Sequence, residues 1–109
     1  MPRLTVDAPA RPIIDFELVT ISEEELEKLY RVIILNDDVT TFEFVILSLI
    51  VVFEIEEGRA EAIAWETHTR GQAYVATLPL KEAQEKVFRV QYAAREHGYP
   101  LEFLIEPEE

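Results

Sequence analysis

Between residues 36 and 40 the chain reads Asn36-Asp37-Asp38-Val39-Thr40, a polar cluster set between a β-branched apolar stretch and a long apolar run. A carboxylate only accepts hydrogen bonds and an amide oxygen accepts as well. Asn36 with Asp37 or Asp38 therefore has the chemistry to hold a group that only donates, an ammonium above all. The same residues are ordinary turn formers, because Asn and Asp tolerate unusual backbone angles and bond their own backbone. Composition leaves both readings open. His68 adds an imidazole at the end of a helical pattern, a place where histidine commonly caps a helix or lies on the surface. His97, beside Gly98, reads as a cap or surface residue.

Other chemistries find less support. Asp37, Asp38 and His68 are ordinary ligand types for a divalent cation, but no second spaced pair accompanies them, and neither a metal nor a cofactor is expected. The chain has no Ser-His-Asp pattern with a nucleophile elbow, no Gly-rich phosphate loop and no HExxH. A hydrolase built from Asp37, Asp38 and His68 has no further residue to argue for it, so the chain is read as a non-enzyme. Trp65 falls off the apolar stripe of its helix and is expected to be partly exposed.

These groups need elements to position them. Tyr30–Leu35 is β-branched and apolar and reads as a buried strand stopped by Asn36-Asp37-Asp38. Thr40 and Glu43 have capping-box spacing, and the run Phe42–Ile55 is almost wholly apolar. It predicts about four turns of a central helix packed on most sides, shorter than the roughly 20 apolar residues of a membrane span. Glu56-Glu57 opens a further helix, with Ala60, Ile63, Ala64 and Thr67 on one face and an end between His68 and Gly71. Gln72–Leu78 is a second strand, and Pro79 suits the first turn of the next helix. That helix carries the stripe Ala83, Val87, Val90 and Ala94, with Glu82–Lys86 and Glu85–Arg89 as i,i+4 pairs on its outside. Gly98 and Pro100 end it, and Leu101–Ile105 alternates as a last strand.

The fold class that follows is α+β: a small sandwich with a three-stranded, mainly antiparallel sheet packed against three helices, in the order β-α-α-β-α-β. This core occupies residues 30–109. Residues 1–29 form an N-terminal arm. Three prolines mark residues 1–12 as extended or disordered, residues 13–21 alternate like an edge strand or docking segment, and Ser22 and Glu25 open a short acidic helix or solvated linker.

Composition sets the outer bounds. One domain fits 109 residues. Twenty-two acidic residues against ten basic ones give a net charge of −12, which argues against nucleic acid or an anionic membrane as partner, since both call for a cationic face. Any charged partner is expected to be cationic. With no cysteine there is no disulfide, thiolate nucleophile or Cys-ligated zinc. The N-terminus shows no apolar signal-peptide core, so a cytoplasmic location is expected.

The residues also assemble into a family pattern. Val32-Ile33-Ile34-Leu35-Asn36-Asp37-Asp38-Val39-Thr40-Thr41-Phe42-Glu43-Phe44-Val45 resembles the signature V-x-L-x-N-D-D-x-T-P-M-E-F-V of the ClpS family of protease adaptors. His68 with Gly71 resembles that family's H-x-x-G, Lys86-Val87 and Ala93 fit its third helix, and Gly98-Tyr99-Pro100-Leu101 is similar to its G-x-P-L. The resemblance covers residues 30–106. It implies an adaptor of the N-end rule, which binds proteins beginning with Leu, Phe, Tyr or Trp and delivers them to a ClpA or ClpC unfoldase working with the ClpP peptidase. It also implies no catalytic activity and no cofactor, and a monomer is expected. By position, it implies that Asn36, Asp38 and His68 receive the α-amino group, with Asp37 assisting. Leu35, Thr40, Phe42, Val45, Ala64, Thr67 and Leu101 would line the side-chain pocket. Lys86 falls where the family contacts the unfoldase, and Lys81 where some members carry an acidic contact.

The sequence departs from the pattern at four places. Phe42 and Ala64 stand where methionines are usual, Thr67 where valine is usual and Thr41 where the family has proline. The first pair adds rigid bulk and removes volume, which redraws a close-packed pocket and is expected to change the ranking among first residues. The competing function class is a non-catalytic interaction module, similar in fold to the ribosomal stalk C-terminal domain, with Asn36-Asp37-Asp38 only a turn.

Overall fold

A computed structural model describes residues 21–109. The predicted extended segment 1–12 lies outside the described residues, as does the alternating segment 13–21 except for Ile21.

The sheet is built around β1 (Leu29–Leu35), which pairs antiparallel with β2 (Gln72–Pro79) on one side and β3 (Glu102–Pro107) on the other. Strand parity explains the layering. Val32 and Ile34 are fully buried under the helices, together with Ala73 and Val75 of β2 and Phe103 of β3. The register between β1 and β2 slips between Val32 and Ile33, whose partners are Ala76 and Tyr74, so Val75 is an extra residue. Its carbonyl accepts a hydrogen bond from the Arg59 guanidinium at 2.9 Å.

Helices α2 (Phe42–Val51), α3 (Glu57–Arg70) and α4 (Leu80–Glu96) cover one sheet face. Leu49, Ile63, Val87 and Val90 pack into the strands' inward side chains, and Phe53 stacks on Phe103 with ring centroids 5.8 Å apart. Each such large apolar side chain contributes roughly 1.5–3 kcal/mol on burial. The expected α+β sandwich, strand number and element order are all present. A fourth helix, α1 (Glu23–Glu27), precedes β1 and packs against α4. Ser22 caps it by accepting the Glu25 N–H at 3.0 Å. The Tyr30 hydroxyl donates to the Glu25 carboxylate, a bond that holds that carboxyl below its usual range and raises the phenol.

Several expectations need correction. The second helix ends at Val51, well short of Ile55, because the chain reverses through Glu54, which takes a left-handed φ of 59°. Lys86 lies inward, not outside: its ammonium donates to the Val52 carbonyl at 2.8 Å, stands 3.8 Å from Glu82, and keeps only 14% of its side chain exposed. A cation there neutralises the carbonyl end of α2. The helix is also bare on one side, with Leu47 and Val51 each 59% exposed. Its cap is Thr41, whose hydroxyl accepts the Phe44 N–H at 3.1 Å. Thr40 does not serve as the cap because its own hydroxyl is held by Asp37. Glu85 and Arg89 close no ion pair, and Pro79 is the N-cap of α4, one residue before the helix begins.

Candidate functional site

The loop from Asn36 to Thr41 joins β1 to α2 and is fixed at both ends. At its start, the Asn36 N–H donates to the Gly71 carbonyl at 2.9 Å. Gly71 is the left-handed residue that terminates α3, with φ 93°, a conformation that costs a residue with a Cβ about 1 kcal/mol or more. One hydrogen bond therefore ties the acidic loop to the end of the helix that carries His68. Within the loop, the Asp37 carboxylate accepts from the Val39 N–H at 2.8 Å, the Thr40 N–H at 2.7 Å and the Thr40 hydroxyl at 2.8 Å. Partial burial pushes this carboxyl up. The bonds from the Thr40 N–H and hydroxyl and from the Val39 N–H, with the charge of Arg95, outweigh that push and hold it below the usual range.

Asp37 thus performs the turn chemistry. Asn36 and Asp38 are exposed, and no hydrogen bond joins their side chains, or the His68 ring nitrogens, to another described residue. All four residues border one cavity of about 270 Å³, together with Thr40, Phe42, Val45, Ala64 and Thr67. The loop supplies acceptors, α2 supplies Phe42 and Val45, and α3 supplies Ala64, Thr67 and His68. The Thr67 hydroxyl donates to the Ile63 carbonyl at 2.7 Å, within its own helix. Apart from His68, the wall made by the helices is therefore apolar in effect. A group that donates on all sides and carries an apolar substituent has its chemical complement here.

Of the residues assigned to the amine site and side-chain pocket, nine meet at this cavity and two do not border it. Leu35 has the opposite strand parity to Val32 and Ile34, so it belongs to the other face of the sheet. Leu101 is 1% exposed and enclosed in the core, with its carbonyl held by the Arg95 guanidinium at 2.9 Å. Lys81 and Lys86 border a different groove of about 590 Å³ between α1 and α4, where Glu23, Glu27 and Glu85 alternate with the bases. The described residues include no group of three His, Cys, Asp or Glu placed to hold a metal, and no described helix is long and apolar enough to cross a membrane.

One neighbour of the site carried no role in the sequence reading. The Trp65 ring meets Phe42 edge-on at 5.3 Å and His68 at 6.0 Å, and Phe42 and His68 are 6.2 Å apart. Its position off the apolar stripe, three residues before His68, was the available signal.

Comparison with known proteins agrees with this arrangement. The family model described as ATP-dependent Clp protease adaptor protein ClpS matches residues 25–104. The chain is 41% identical over 87 residues to ClpS 2 of Mesorhizobium japonicum, covering 80% of this chain and 86% of that protein. It is also 41% identical over 91 residues to ClpS of Nautilia profundicola, covering 80% and 94%. Among solved structures, Agrobacterium tumefaciens ClpS2 bound to L-phenylalaninamide superposes with a TM-score of 0.71 at 36% identity, covering 75% of this chain and 99% of that one. With its matched length, its fold and its acceptor-lined cavity in agreement, the chain belongs to the ClpS family of adaptor proteins for the ATP-dependent Clp protease.

Proposed function

We propose that the cavity seats the free α-amino group and apolar side chain of a polypeptide's first residue, and that the protein delivers such polypeptides to a ClpA or ClpC unfoldase working with ClpP. The observation that carries this reading is the set of acceptors on Asn36, Asp38 and His68 that bond no other described residue, beside an apolar wall of Phe42, Val45 and Ala64. L-phenylalaninamide, the ligand of the Agrobacterium relative, joins the same two features, a free amine and an apolar ring. In this reading Asp37 acts through the loop, Thr40 and Thr67 complete the pocket, and the groove that Lys81 and the inward Lys86 border meets the unfoldase. The protein works as a cytoplasmic, non-catalytic monomer.

The magnitudes are adequate. Charge-assisted hydrogen bonds contribute about 1.5–3 kcal/mol each, and burying a Leu or Phe side chain adds roughly 1.5–3 kcal/mol. Against a rigid-body cost of at least about 4 kcal/mol, three such bonds and one buried side chain reach about micromolar affinity only at the upper end of these ranges.

Acetylation removes the charge and two donors from the amine, which gives a direct test. In fluorescence-polarisation titrations, a peptide beginning with Leu or Phe is expected to bind and its acetylated form to fail. Asn36→Ala with Asp38→Ala is expected to weaken the free peptide by at least about ten-fold. Equal binding of the free and acetylated peptides would overturn the reading.

A further inference from the structure

The chain's single tryptophan is 58% exposed. It fills no space in the interior: Ala64 and Thr67, its neighbours on α3, are the buried residues there, at 2% and 4% exposure. Its ring instead touches the two aromatic rings that border the cavity, Phe42 at 5.3 Å and His68 at 6.0 Å. The three rings form one continuous surface running from the cavity's edge into solvent.

We infer that Trp65 is a specificity-determining residue that takes the side chain of the second residue of the bound polypeptide and favours Phe, Tyr or Trp at that position. The inference rests on the N-terminal reading proposed above. In an extended chain successive side chains point to opposite sides, and neighbouring Cα atoms are about 3.8 Å apart. If the first side chain enters the cavity, the second points out of it above the rim, where only a ring that itself projects from the surface can flank it. Trp65 occupies that rim. Aromatic pairs prefer edge-on or offset contact at roughly 4.5–7 Å between centroids, and the Trp65 ring is already braced in such contacts on the cavity side, leaving its other side open. Glycine or alanine at the second position has nothing to place against it.

The test compares dissociation constants, by fluorescence anisotropy, for peptides labelled at their C-terminal end and beginning Leu-Phe, Leu-Ala or Leu-Gly. The wild-type protein is expected to bind Leu-Phe about three- to ten-fold more tightly than Leu-Gly. Trp65→Ala should bring that ratio to about one, while Trp65→Phe keeps most of it, which a general loss of structure would not do. A flat second-residue profile in a wild-type protein that binds all three peptides overturns this inference alone, as does a preference that survives in Trp65→Ala. If no Leu-initiated peptide binds, the N-terminal reading fails and this inference falls with it.

Discussion

Asp37 holds Thr40 twice: one carboxylate oxygen accepts the Thr40 N–H at 2.7 Å and the other accepts its hydroxyl at 2.8 Å. With the Val39 N–H also bound, this carboxylate closes the loop and leaves its two polar neighbours facing the cavity. Removing it should loosen the loop without removing the acceptors on Asn36 and Asp38.

For Asp37→Asn we expect a loss of about 1–2 kcal/mol in unfolding free energy at neutral pH, comparable to losing a helix cap. The Asp37 carboxyl titrates below its ordinary value in the fold, so the folded state binds its proton less readily than the unfolded chain does. The stabilisation is therefore complete above the unfolded value of about 3.9 and is lost as pH falls through the folded one. Urea unfolding of both proteins between about pH 6 and about pH 2.5 checks this. The difference between them should shrink on the acid side, and a difference that stays constant would contradict the role given to this carboxylate.

The cavity's volume is divided unusually between Phe42 and Ala64, both of which border it. Phe42 is braced by Trp65, and a rigid ring cannot adapt as an unbranched side chain does. We expect Phe42→Met with Ala64→Met to keep binding but reorder affinities among peptides beginning with Leu, Phe, Tyr and Trp. Shifts of about ten-fold between the best and worst first residue are in scale with one or two methylene groups. A competition series on both proteins measures the order, and an unchanged order would remove these positions from selectivity.

Lys86 and Lys81 share a groove but differ in burial. Lys86→Ala removes the ammonium that binds the Val52 carbonyl at 2.8 Å and should destabilise the fold by about 1–2 kcal/mol. Lys81→Ala, at an exposed position, should stay within about 0.5 kcal/mol of wild type. Binding to an unfoldase N-domain should weaken in both variants. If Lys86→Ala unfolds at the wild-type urea midpoint, its side chain does not secure α2.

Much of the architecture was legible because local signals agreed with one another. A β-branched apolar run marked β1, the Ala83–Val87–Val90–Ala94 stripe marked α4, and Gly71 marked the end of α3. The end of α2 was not legible. The apolar run continues to Ile55, while the stop depends on Lys86, more than thirty residues away, and on a left-handed Glu54 that no residue preference announces. Thr40 had the capping-box spacing, but its hydroxyl is taken by Asp37 and the cap is Thr41. At the cavity, Asn36, Asp37, Asp38, Thr40, Phe42, Val45, Ala64, Thr67 and His68 share one lining, while Leu35 and Leu101 do not border it, and core enclosure such as that of Leu101 depends on the packed helices. Trp65 passed without a role because its partners, Phe42 and His68, become neighbours only when α2 and α3 pack.

That packing gives the molecule a built-in optical gauge. With one indole in the whole chain, all tryptophan emission originates beside Phe42 and His68, and 58% of that residue faces solvent. Whatever occupies the neighbouring cavity changes the wetness and polarity around a single emitter, so occupancy can be followed in the unmodified protein with no dye attached to it.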